Sequence, residues 1–174
     1  ANLPFSFEDW DARARAALDD GAYWYVAGGA GGGDTMRSNR EAFGRWHIRP
    51  MMPRNVSVRD LGVTLFGTRL PAPILLAPVG VQGILHADGE LATARAAAGA
   101  GVPFILSNVS SFSIAQVAAA AGSGPRWFQL YPGRNRQVIK TALSRAEPEG
   151  YTAIVVTLYV PLLAWREQVP KTAA

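Results

Sequence analysis

The sequence predicts an α/β fold, a parallel sheet of right-handed strand–helix–strand units behind a helical N-terminal segment. Three observations predict it. From Pro73 onward, short apolar runs alternate with helical patterns in the order strand, helix, strand, helix, strand, helix, strand. Before Trp46 only helical spacing is present. The loop after the first strand is not a G-x-G-x-x-G turn, so the dinucleotide fingerprint of an open doubly wound sheet is absent. A (β/α)8 TIM barrel is the better reading, and about four of its parallel strands are present.

The elements follow in order. Ser6 caps a helix to Ala17, with Glu8 and Asp9 in the first turn and Phe7, Trp10, Ala14 and Ala17 on one face. A short helix over Gly21–Val26 stops at Gly28 and Gly29. The glycine-rich loop Gly28–Gly33 is flexible unless something holds it. A third helix is expected over Asp34–Phe43, capped by Asp34. Pro50, Pro53 and the stretch Val56–Leu65 suggest extended chain with a small hairpin. Strands are expected at Ile74–Ala77, Pro103–Ser107, Trp127–Tyr131 and Ala153–Leu158, and helices at Glu90–Ala100, Ser113–Ala121 and Asn135–Glu147. This gives two parts, a helical segment with hairpin over 1–72 and the first half of a barrel over 73–174, ending after the fourth strand. Half a barrel should leave unpaired strand edges and an exposed inner face.

Composition narrows the function. Of 174 residues, 49% are apolar and 17% charged, which is too apolar for a disordered chain. The net charge is only +4 and no basic run is present, so nucleic acid is not indicated. The absence of cysteine removes disulfides, thiolate metal sites and a cysteine nucleophile, and fits a cytoplasmic protein. Two histidines, His47 and His86, are too few for a three-histidine metal centre, and no metal site is predicted. No apolar run reaches the ~18 residues of a membrane span, and residues 1–10 lack a signal-peptide pattern.

In a parallel barrel, function sits where strands end at their C-terminal side. Those positions hold Ala77-Pro78-Val79-Gly80, Ser107-Asn108, Gln129 with Tyr131, and Thr157 with Tyr159. Residues two apart on a strand share a face, so Gln129 pairs with Tyr131 and Thr157 with Tyr159. Buried amides and hydroxyls need partners. A polar ligand would supply them, and so would neighbouring backbone; spacing alone leaves both readings open.

Several strings together resemble the FMN-dependent 2-hydroxy-acid oxidases and dehydrogenases, which include glycolate oxidase, lactate dehydrogenase and lactate 2-monooxygenase. They are Tyr25-Val26-Ala27-Gly28-Gly29-Ala30, Asn39–Phe43 with Arg49-Pro50, Ala77-Pro78-Val79-Gly80, Asp88-Gly89-Glu90 with Thr93–Ala97, Trp127–Tyr131, and Gly150-Tyr151 through Leu158. The resemblance covers nearly the whole chain to Arg166. It implies FMN as cofactor and oxidation of a small, lactate-like (S)-2-hydroxy acid to the 2-keto acid. Backbone at Pro78, Val79 and Gly80 would approach the flavin near its N5 edge. Ser107, Gln129 and Thr157 would bond the polar edge of the ring. Tyr25, Tyr131 and Arg166 would contact the substrate. On the residues alone Tyr25 reads as a packed aromatic beside Tyr23 and Trp24, and only the resemblance gives it a substrate role. His86 is a loop residue, because the family's catalytic histidine belongs to a later strand.

Two departures qualify the resemblance. The family reads an aspartate in the fourth-strand string where this chain reads Thr157-Leu158-Tyr159-Val160-Pro161. In the family that carboxylate stabilises the catalytic histidinium, whereas a phenol is neutral near pH 7. The family's second half, with its lysine, catalytic histidine, substrate arginine and phosphate-binding loops, has no counterpart here, and the tail from Gln168 to Ala174 diverges. The expectation is a truncated relative that is inactive alone and binds FMN weakly or not at all. It would form a homo-oligomer or pair with a complementary second-half chain. The alternative is a non-catalytic flavin-binding or assembly module.

Overall fold

The computed structural model describes residues 3–159 and 165–167. Val160, Pro161 and the divergent tail from Gln168 lie outside them. The described residues form two compact units, 3–54 with 165–167, and 55–159.

The first unit is helical. Helix α1 (Phe7–Ala17) begins where the Ser6 hydroxyl accepts the Asp9 N–H at 3.0 Å, as the sequence implies. Helix α2 (Asp20–Ala27) is capped by Asp19, which accepts the Ala22 N–H at 2.8 Å. Helix α3 (Asp34–Ala42) departs from the expected cap. Gly33, at φ 80°, occupies the cap position, and Asp34 lies inside the first turn with its carboxylate paired to Arg37. The left-handed backbone at residue 33 favours glycine, so the cap falls one residue earlier than expected and Asp34 is already helical. The glycine-rich loop is held. The Gly31 N–H donates to the Trp165 carbonyl at 2.8 Å, and Arg37 Nη1 donates to the Gly32 carbonyl at 2.9 Å.

The second unit opens with a hairpin, β1 (Val63–Leu65) against β2 (Thr68–Leu70), antiparallel with Leu65 facing Thr68. Its two-residue turn, Phe66-Gly67, has φ of 47° and 78°, the positive values of a type I′ turn. Beyond it lie α4 (Gly89–Ala100), β3 (Phe104–Leu106), α5 (Ile114–Ala121), β4 (Arg126–Leu130), α6 (Arg136–Ala146) and β5 (Ile154–Val156). Strands β3, β4 and β5 are parallel neighbours in that order. The expected first strand, Ile74–Ala77, is reduced to a single parallel bridge between Leu76 and Phe104. Pro73 and Pro78 flank it and lack the N–H a longer ladder would use.

Helices follow from clear signals. Ser113 and Gln116 form a capping box for α5, Asn135 caps α6, and Gly101 in the left-handed region ends α4. The core lies between the sheet and these helices. Phe104, Leu106, Phe128 and Leu130 point to the helix side, against Ala94, Ala97, Val117, Ala118, Ala121 and Tyr151. Burial pushes the Tyr151 phenol up from its ordinary value, and its hydroxyl donates to the Ile114 carbonyl at 3.0 Å.

Strand pairing puts Ile105, Trp127, Gln129 and Val155 on the opposite face. The expectation of a bare inner face is corrected there. Ile105, Trp127 and Gln129 are buried, and the Phe66 ring at the hairpin tip meets Trp127 edge-on at 5.5 Å. Exposed apolar surface lies instead on the helix side of β5, at Ile154 and Val156, which share the face of Phe128.

Candidate functional site

The site grows from the ends of three parallel strands. Gln129, one residue before the end of β4, is 1% exposed. Its Oε1 accepts the Asn108 N–H at 3.0 Å and the Ser107 hydroxyl at 3.3 Å, both just past β3. Its Nε2 donates to Thr157 Oγ1 at 2.8 Å, just past β5. A backbone N–H can only donate, so the Asn108 contact fixes the amide orientation. The sequence-predicted residues Ser107, Gln129 and Thr157 are therefore one row across three strands, joined to each other and to backbone. The row keeps a second Gln129 amide hydrogen and the Thr157 hydroxyl hydrogen as donors.

Pro78, Val79 and Gly80 form the loop that follows the Leu76 bridge. A Cβ on Gly80 would lie 2.5 Å from Val109 Cγ2, so any side chain there would have to push the Val109 side chain aside. Val81, with φ 46°, is a β-branched residue in the left-handed region, a strained conformation that surrounding contacts must hold. Tyr131 is 39% exposed, past the end of β4 on the Gln129 face. Tyr159 is exposed.

Tyr25 and Arg166 belong to the first unit, where they meet. Arg166 Nη1 donates to the Tyr25 carbonyl at 2.9 Å, and its guanidinium lies 5.5 Å from the centre of the Tyr25 ring. His86 Nδ1 accepts the Asp88 N–H at 3.0 Å and so serves a local turn. Sequence reasoning missed Glu90 and Gln82. Both are buried, and Gln82 Nε2 donates to the Val79 carbonyl at 3.2 Å. The signal was an acidic residue in the first turn of an otherwise alanine-rich helix. A groove of about 810 Å³ between α5 and α6 is lined by Ser107 and Asn108 but not by Gln129 or Thr157. Among the described residues no group of His, Cys, Asp and Glu is arranged to hold a metal, and no helix is long and apolar enough to cross a membrane.

The FMN-dependent dehydrogenase family matches residues 14–173. The chain belongs to this family. It is 40% identical over 168 residues to an L-lactate oxidase of Lysinibacillus sphaericus, covering 97% of this chain and 44% of the relative. It is 42% identical over 159 residues to glycolate oxidase 1 of Zea mays, covering 91% of this chain and 43% of the relative. Among solved structures, a putative lactate oxidase of Pediococcus acidilactici superposes with a TM-score of 0.95 at 31% identity, over all of this chain and 49% of that one. A mandelate oxidase gives 0.91 at 36% identity, over 97% and 50%. The chain thus spans less than half the length of the curated relatives it matches. Its fold is that of the first half of a family (β/α)8 barrel, with the Gln129 row at the C-terminal ends of the strands.

Proposed function

We propose that this chain supplies the ring-facing half of an FMN site in a 2-hydroxy-acid oxidoreductase. The row Ser107–Gln129–Thr157 carries the reading. It puts amide and hydroxyl donors at the strand ends of a parallel barrel, where the donors left over suit carbonyl and ring-nitrogen acceptors. The flavin, when bound, supplies the two-electron redox chemistry. The protein's part is to orient and to bind. Gln129 Nε2 and the Thr157 hydroxyl would hold the polar edge of the ring, and backbone at Pro78, Val79 and Gly80 would meet its N5 edge. Tyr25, Tyr131 and Arg166 would engage a small, lactate-like 2-hydroxy acid, the guanidinium answering its carboxylate. A cysteine-free chain without an apolar span suits a cytoplasmic setting.

The chain alone would bind FMN weakly and turn nothing over. General-base chemistry calls for a group such as histidine with a pKa near the working pH, and His86 is engaged in its turn. Loss of two charge-assisted phosphate bonds at ~1.5–3 kcal/mol each weakens binding by roughly two to four orders of magnitude. Titration of the purified chain, followed by flavin fluorescence, should therefore show weak quenching, with riboflavin and FMN alike within about three-fold, since ring contacts alone remain. No quenching by either would end the cofactor reading. Tight binding of FMN over riboflavin would end the claim that phosphate contacts are lacking. Activity is expected only where the family's second half, in the same chain or another, is also present.

Tyr159 favours a second reading, a non-catalytic flavin-binding or assembly module. Where the family pattern has a carboxylate, this chain presents an exposed phenol. With a complementary half supplied, Tyr159→Asp should raise steady-state turnover at least ~10-fold, which is ~1.4 kcal/mol of barrier. Equal rates would mean that Tyr159 does not stand at the family's aspartate position.

A further inference from the structure

Glu90 is the one fully buried carboxylate among the described residues, and the chemistry above makes no use of it. It is the second residue of α4. Its Oε1 accepts two backbone N–H groups, from Gln82 and from Ser111, each at 3.0 Å. Those donors belong to different βα loops. Its Oε2 is buried and accepts no hydrogen bond from the described residues.

Around this contact the two loops are sewn together. The Val81 N–H donates to the Val109 carbonyl at 2.9 Å, and the Gly83 N–H donates to Ser111 Oγ at 2.9 Å. Gln82 Oε1 accepts the Thr93 hydroxyl at 2.6 Å, while its Nε2 reaches the Val79 carbonyl. Gly89, at φ 35°, lets the start of α4 press against this loop, because a Cβ there would lie 3.0 Å from the Gly83 nitrogen. The strained Val81 sits inside the same stitch. A carboxylate offers the strongest acceptor for two converging N–H groups, and it lies in the first turn, where the helix dipole favours an anion.

We propose that Glu90 is a positioning residue, whose carboxylate ties Gln82 to Ser111 and so fixes the Val79–Gly80 backbone in the conformation that faces the flavin ring. The assignment of that backbone to flavin rests on the reading in the preceding subsection; the clamp itself does not.

The test uses the full chain with Glu90→Ala, Glu90→Asp and Glu90→Gln, read by amide hydrogen exchange and by flavin titration. In Glu90→Ala the amides of Val81 and Gly83, which do not touch Glu90, should exchange at least ~10-fold faster, with Phe104 and Phe128 unchanged. Glu90→Gln keeps an acceptor in place and should restore protection to within ~3-fold. If the alanine chain fails to fold, Glu90→Asp carries the comparison, since its shorter reach cannot serve both loops. Unchanged loop protection, or a loss spread equally over Phe104 and Phe128, would overturn the proposal. FMN and riboflavin quenching should fall in the alanine variant and return in the glutamine variant. Loop deprotection with no flavin response even in the unsubstituted chain would support the clamp and overturn the flavin reading.

Discussion

Phe128→Ala should cost the second unit ~3–5 kcal/mol, the usual range for an aromatic removed from a packed core. Phe128 is 3% exposed at the centre of the layer between sheet and helices, and its ring meets Tyr151 edge-on at 6.1 Å. Removing the ring leaves a cavity lined by Leu106, Val117 and their neighbours, which the short strands cannot close. Since whole domains hold only ~5–15 kcal/mol, the variant should be largely unfolded at moderate urea concentrations that leave the parent folded. Phe128→Leu, which keeps most of the volume, should lose less than half as much. Urea unfolding followed by far-ultraviolet circular dichroism reads both. A loss below ~1 kcal/mol in the alanine variant would mean that the helix layer does not depend on β4.

The same strand shows how much was legible. Trp127 to Tyr131 reads as a strand with alternating faces, and the structure puts Phe128 on the helices and Gln129 on the opposite face because side chains alternate. Helices were legible to within a residue or two, since their caps are local: Ser6, Ser113 with Gln116, and Gly101 act on groups within one turn. Local signals failed where two of them competed. Asp34 is a good cap by type, but Gly33 takes the cap position and Arg37 engages the Asp34 carboxylate. The stretch Ile74–Ala77 has strand composition, yet only Leu76 bridges, because prolines bound it.

Contacts between distant segments were not legible. Spacing placed Ser107, Gln129 and Thr157 at strand ends but could not choose between a ligand and the protein's own backbone as their partner. The structure shows that backbone takes the Gln129 oxygen, through Asn108, and that Thr157 takes one amide hydrogen. Glu90 escaped notice because its partners lie 8 and 21 residues away, in two loops whose conformations no periodic pattern encodes. Phe66 covering Trp127 is of the same kind, since hairpin tip and strand share no sequence signal.

Gln129→Leu should both destabilise the second unit and remove the flavin response. Leucine fills a similar volume but neither donates nor accepts. The Asn108 N–H and the Ser107 and Thr157 hydroxyls would lose their contacts with the amide, at 3.0, 3.3 and 2.8 Å. An unsatisfied part-buried donor costs up to ~1–3 kcal/mol; the Ser107 hydroxyl can rotate toward another acceptor and the Thr157 oxygen loses only a donor, while the Asn108 N–H cannot turn elsewhere. The net loss should therefore be ~2–4 kcal/mol, and the FMN quenching of the parent chain should vanish because the row's central donor is gone. Thr157→Val tests whether the row acts as a unit. It removes one hydroxyl and should cost ~1 kcal/mol alone, but little more once residue 129 is leucine, because the shared bond is already lost. Urea unfolding of the parent, both single variants and the double variant gives the coupling directly. Strict additivity would show that Gln129 and Thr157 do not share a bond in solution, and flavin quenching that survives in Gln129→Leu would place the ring elsewhere in the molecule.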